Sequence, residues 1–372
     1  MNHLFPTPSS SKQVTEAELA PHRHRLAEDP TDHESLRALF DLYQRSDQVD
    51  RACGVAEALT ILRKVSPGQC LFLGQHRPRS LPVARQTLDT SLLRSHVAHP
   101  DQDPHITGIL ELVAPAVAAW RAAKIPRSLR DSEPIDFLTE PSDVARMIKY
   151  AWRVLGVARP QVYVLPKGQG DYMLLNLHRG RHDRHDEGIQ PSMVIFERLL
   201  ERRPERELAY VVGRAMADLH VSHYALVATD RRPELLEQIV KACLFAMGIP
   251  VQGDHGALGR VAKEIFARML PATRACLGHV VKRFAEAGAV VDMERWCRAT
   301  ELTASRVGLL LAGDLRIAAD ALAQEPSPLC CATMLSARER LEDLLRYGIS
   351  EDYFRMREIL GTDALIRLGG SW

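Results

Sequence analysis

Aromatic side chains are scarce in this sequence: Phe, Trp and Tyr make up 6% of its 372 residues. A core built from it must be mostly Leu, Val and Ala. Long apolar runs are missing as well. No stretch reaches the roughly 18 residues that crossing a bilayer takes, so no membrane span is expected. An excess of one charge is also lacking. The 48 Lys and Arg stand against 47 Asp and Glu, for a net charge of +1, and the basic residues, mostly Arg, are spread along the chain. That balance offers no global attraction to nucleic acid or to an anionic membrane. No C-x-x-C pair occurs. The seven cysteines (Cys53, Cys70, Cys243, Cys276, Cys297, Cys330 and Cys331) are odd in number and scattered. This argues against a disulfide framework and against a structural zinc site. They are expected to be small buried hydrophobes in a reducing compartment. At Cys330–Cys331 a redox pair is the alternative to packing. The opening residues carry no positive region followed by an apolar one, so no signal peptide is expected and the protein is read as cytoplasmic.

What is present suggests two domains. Residues 1–15 are rich in Ser and Pro and are expected to be a disordered tail. Residues 16–130 read as a helical region. Within it, residues 29–62 form a helical hairpin: Asp29-Pro30 starts it and Thr31 or Asp32 can cap. Leu36, Leu39, Phe40 and Tyr43 make one apolar stripe, and Ala52, Val55, Ala56, Leu59 and Leu62 the other. Length and start resemble one tetratricopeptide repeat of about 34 residues, with an ordinary helical hairpin as the other reading. A linker is read at 124–134. Residues 141–372 form the second domain. Ser142 caps a helix that Gly156 ends, and two strands follow at 160–166 and 171–178. The stretch 192–200 starts as a third strand and turns into a short helix. Helices are read at 233–246, 258–269, 273–287 and over 293–323, then from the Ser336–Glu339 capping box, and lastly over 350–361. The expected fold class is α+β, predominantly helical, with a small sheet.

The stretch 207–226, ELAYVVGRAMADLHVSHYAL, organises the rest. It reads as one amphipathic helix, with Leu208, Val211, Val212, Ala215, Met216 and Leu219 at helical spacing. Arg214 and Asp218 lie one turn apart inside that apolar pattern, where a charged pair is costly unless matched.

The order strand, strand, strand turning into a short helix, acidic helix start and then this helix resembles the HtpX-type zinc metallopeptidases, which are gluzincins. The matching stretches are PQVYVLP, SMVIFERLL and ERELAYVVGRAMADLHVSH, with ELTASRVG (301–308) set against the family's third-ligand pattern. They span about half the chain, residues 141–323. The resemblance implies a zincin-like domain, and it places Arg214 and Asp218 where the family's two zinc-binding His residues stand. It places Ala215 at the general base, Glu301 at the third ligand and Ser305 at the acid that supports the site. Zinc needs three neutral or anionic protein ligands and an open position for water. Arg214 cannot ligate and Ala215 cannot accept a proton, so the resemblance implies a degenerate site with no catalytic residue, no metal and no cofactor. An Arg214–Asp218–Glu301 ion cluster is expected in place of the metal, against the plainer reading of an exposed pair. His220 and His223 are expected to point away from the face carrying Arg214 and Asp218. A metal held another way would fall to His178, His182 and His185 with Glu301. The plainer reading of that loop is a solvated polar segment.

The leading function is therefore a non-catalytic pseudopeptidase, a protein-interaction or scaffold module with a protein or peptide partner, as in bacterial proteins that pair tetratricopeptide-like helices with a degenerate peptidase domain. The alternative is a metal-dependent hydrolase with a rebuilt site. Nucleic-acid binding through Arg-rich loops is disfavoured by the charge balance.

Overall fold

A computed structural model describes residues 14–130, 132–168, 170–177, 191–201, 203–325 and 335–363. The loop carrying His178, His182 and His185 and the Cys330–Cys331 pair lie outside these residues. The first helices are α1 (Glu16–Glu28), α2 (His33–Arg45), α3 (Val49–Ile61) and α4 (Pro67–His76). Asp32 caps α2, accepting from the backbone N–H of Glu34 at 3.1 Å and of Ser35 at 3.4 Å. Both predicted stripes of the α2–α3 hairpin are buried, except that Leu62 is only partly covered. A short α5 (Thr90–Leu92) widens into a π turn, Leu93–Val97, followed by α6 (Pro104–Arg121), a short α7 (Arg127–Arg130) and α8 (Asp143–Leu155).

The sheet comes next: β1 (Gln161–Leu165), β2 (Tyr172–Asn176) and β3 (Pro191–Phe196) in the order β1-β3-β2. β3 runs parallel to β1 and antiparallel to β2. Alternation along β3 decides what each side chain covers. Met193 and Ile195 enter the main core, while Val194 and Phe196 join a small cluster with Leu129, Tyr163 and Leu177 on the other face. The stretch read as a linker lies along this sheet. Ile135 N–H donates to Val162 at β1, and Ala123 N–H donates to Asn176 at β2.

The remaining helices are α9 (Glu197–Leu200), α10 (Glu205–Ala217), α11 (Tyr224–Ala228), α12 (Pro233–Ala246), α13 (His255–Phe266), α14 (Pro271–Glu286), α15 (Met293–Ala312), α16 (Leu315–Ala323), α17 (Ala337–Gly348) and α18 (Glu351–Leu360). Together with the three strands they make a predominantly helical α+β architecture. Buried side chains from α1–α3 through α18 belong to one contiguous apolar cluster.

Two expectations about the central helix are corrected. It is not amphipathic: every residue from Leu208 to Ala217 is buried, because α8, α15 and α16 all pack on it. Nor does it run to 226. It ends at Ala217, where Leu219 and His220 N–H groups close tighter turns on Met216 and Ala217. The Ala217 carbonyl is also bonded by the buried His223 ring at 3.1 Å, which fixes the turn before α11. The stretch 293–323 likewise divides, at Gly313. Its φ of +60° is a left-handed conformation that favours glycine, and Asp314 then caps α16.

Antiparallel α10 and α15 form the centre of the molecule. They cross at Gly213 and Gly308, where a Cβ added to Gly213 would sit 3.3 Å from the Gly308 Cα. With no side chains at the crossing the two backbones approach closely. The charged groups flanking that crossing are thereby brought within reach of one another.

Candidate functional site

Beside the crossing α10 presents Arg214, and two turns before it α15 presents Glu301. Their side chains are 4% and 7% exposed, and an Arg214 Nη–H donates to a Glu301 carboxylate oxygen at 3.3 Å. Two further residues complete the group. Glu325, just past the end of α16, accepts from Arg214. Arg340, on the first turns of α17, donates to Glu325 at 2.8 Å and stands 3.9 Å from Glu301. Among the described residues two guanidinium groups and two carboxylates thus neutralise one another. Desolvation by burial would depress the Arg214 guanidinium, but Glu325, the neighbouring Tyr210 and Tyr172 hydroxyls and Glu301 outweigh it. The group is held well above its ordinary pKa and stays charged. Burial pushes the Tyr210 hydroxyl up to about 12, so it is neutral here.

The expected triad forms in part. Arg214 and Glu301 meet, while Asp218 does not join them. Asp218 closes α10 after the helix has tightened, and it accepts instead from Arg231, a residue of the turn between α11 and α12. Ala215 is fully buried among apolar neighbours. Ser305 is buried too, and its hydroxyl donates to the Glu301 backbone carbonyl at 3.2 Å, not to the carboxylate. His220 and His223 take up a separate network. His223 donates from Nδ1 to Ala217, which leaves Nε2 to accept from the Gln102 amide at 2.9 Å, and the Gln102 carbonyl accepts from Thr303. His220 accepts from Ser222 N–H at 3.2 Å and meets the Thr90 hydroxyl at 3.2 Å. Burial lowers both imidazoles, that of His220 to about 4, so both are neutral at pH 7.

Sequence reasoning missed Glu325, Arg340 and Arg231. Arg340 leaves a trace, since it falls on the α17 face that also carries Leu344 and Tyr347. Glu325 and Arg231 lie outside regular elements and leave none.

The residues that the resemblance sets at the metal positions do not fit a zinc ion. Glu301 is engaged by two guanidinium groups, Asp218 is drawn off by Arg231, and Ala215 offers no donor. Among the described residues no group of three or more His, Cys, Asp or Glu could hold a metal. No helix among them is long and apolar enough to cross a membrane. No family model, no curated protein and no solved structure matches this chain.

Proposed function

We propose that this chain is a non-catalytic protein that binds a protein or peptide partner, built on a degenerate zincin-like domain. The observation that carries the reading is the Arg214–Glu301 pair. The buried Glu301 carboxylate, which the resemblance sets at the third metal ligand, is neutralised by the guanidinium of Arg214, which it sets at the first. Burying that carboxylate without a counter-charge would cost several kcal/mol, and an arginine supplies one as a zinc ion would. Each charge of the set is answered by another among the described residues, and the position that the resemblance gives to the base is filled by the buried Ala215. Such a group stabilises a packing arrangement. Both of its carboxylates are engaged by guanidinium groups.

The outer strands supply a mode of partner binding. Among the described residues one bridge from another segment meets β1, Ile135–Val162, and one lies just past the end of β2, Ala123–Leu177, and a peptide can add as a strand along the rest of either edge. The described cysteines, Cys53, Cys70, Cys243, Cys276 and Cys297, are free, which supports a reducing, cytoplasmic setting. The decisive experiment is elemental analysis of protein purified after growth with and without added zinc. Folded protein without stoichiometric metal under both conditions is expected. One tightly held zinc per chain would overturn the reading.

A further inference from the structure

We propose that the cavity at the N-terminal ends of α10 and α16 is a binding site for a small phosphate-bearing molecule. It encloses about 480 Å³ between α4, the 77–81 turn and these two helix starts. This is the size of a site for a small organic ligand, well above that of a single ion.

The helix geometry favours an anion there. Arg206 at the start of α10 bonds Ala312 and Gly313 just before α16, and Arg214 near the end of α10 bonds Glu325 just after it. The two helices therefore run parallel, and both positive dipole ends converge on the cavity. The N-cap of α10 is Pro204, and no side chain caps this end.

Charge adds to the dipoles. Four arginines line the cavity. Arg77 is taken by Glu57 at 3.1 Å and by Asp314. Arg206 holds the carbonyls of Pro78, Ser80, Ala312 and Gly313, and it has no carboxylate within ion-pair distance among the described residues. Arg79 and Arg316 have no ion pair among those residues either. Of the acids in the wall, Glu205 pairs with Arg146 at 3.3 Å, and Asp314 is committed to Arg77 and to capping α16 at Ile317. The lining is left with positive charge to spare. Leu73, Leu81 and Ile317 form an apolar wall beside it, so the ligand class is a phosphate joined to a less polar body, of mononucleotide size. The site is separate from the ion cluster. Arg206 and Arg214 stand roughly 12 Å apart along α10, so this inference does not rest on the non-catalytic reading.

Cys70 lines the cavity and is exposed, while Cys276, on α14 and also exposed, is not part of it. This pair supplies a positional readout. Pyrophosphate and AMP would be titrated into the full chain in a phosphate-free buffer, and iodoacetamide labelling of each cysteine followed by peptide mass spectrometry. Saturable binding with one site per chain is expected for at least one probe, together with slowed alkylation of Cys70 and unchanged alkylation of Cys276. Arg316→Glu should weaken that binding by about tenfold or more, the worth of a charge-assisted contact. The exposed control Arg260→Glu should not. Absence of saturable binding, labelling of both cysteines slowed alike, or equal weakening in both variants would overturn the proposal. Should Arg316→Glu fail to fold, the Cys70 protection on the unmodified chain still decides it.

Discussion

Arg214 and Glu301 face each other at 3.3 Å across the seam between α10 and α15, eighty-seven residues apart in sequence and both buried. The pair exists because Gly213 and Gly308 let the two helices cross closely enough for side chains on either side to meet. Each helix thus determines the electrostatics of the other.

Removal of one partner should expose that dependence. Arg214→Ala removes the 3.3 Å donor to Glu301 and takes one of two cations from Glu325. A loss of about 3–5 kcal/mol in denaturant unfolding is expected, as for a broken buried pair. A variant as stable as the parent would show that the cluster is not part of the fold's support.

The helix crossing should be intolerant of a methyl group, and unequally so. At Gly308 an added Cβ would stand 2.8 Å from the Tyr210 carbonyl oxygen, which belongs to the α10 backbone and cannot step aside. At Gly213 the nearest atoms are at 3.3 Å. Gly308→Ala is therefore expected to destabilise by about 1–3 kcal/mol or more, and Gly213→Ala by less. Thermal unfolding of the two single variants checks the order.

Acid should weaken the protein through His220. Its folded-state pKa is depressed by burial to about 4 from an ordinary 6.5, so the unfolded chain takes up a proton first. The stability this neutral imidazole contributes is fully present above pH 6.5 and is lost as pH falls towards 4. The loss is up to about 3 kcal/mol. His220→Gln should flatten the profile across that window, and a slope unchanged by the substitution would remove His220 as its source.

Glu57 should act in the opposite sense. Burial, with Asp314 nearby, raises its carboxyl to about 7 despite the opposing Arg77. Its contribution is fully present below the ordinary carboxylate pKa of 4.5 and is lost as pH rises through 7. Glu57→Gln keeps an oxygen for the bond from Leu315 N–H, so its stability relative to the parent should improve between pH 5 and pH 8. Parallel urea titrations of the two proteins at these pH values give the answer.

Much of the local structure was legible. The Ser142 start, the Ser336–Glu339 box and the stop at Gly361 are written in residues a few positions apart and fold as read, and of the two caps open for α2, Thr31 and Asp32, the fold uses Asp32. The three strands and the short helix after β3 fold near where they were read, β1 from its alternation and the others from short apolar runs between turn residues. The candidate site was legible by half. Arg214 stood out as a charge inside an apolar pattern, and Glu301 was singled out by the resemblance alone. Their partners Glu325 and Arg340 did not, because nothing in a loop glutamate or in a residue of a polar-looking helix says which distant charge it will meet. The break after Ala217 was hidden for the same reason, as it depends on a bond from His223 across the turn.

The sequence by itself determined the kinds of element and most of their ends, because propensity, capping and hydrophobic period act over one or two turns of chain. It also determined that Arg214 and Glu301, if buried, would need counter-charges. Only the tertiary structure decided which charges those are, that Asp218 turns to Arg231, and that two parallel helix starts converge on one basic cavity. These are relations between segments far apart along the chain. They are set by how closely backbones approach and by the cost of leaving a buried charge unanswered, and neither is a property of any single stretch of residues.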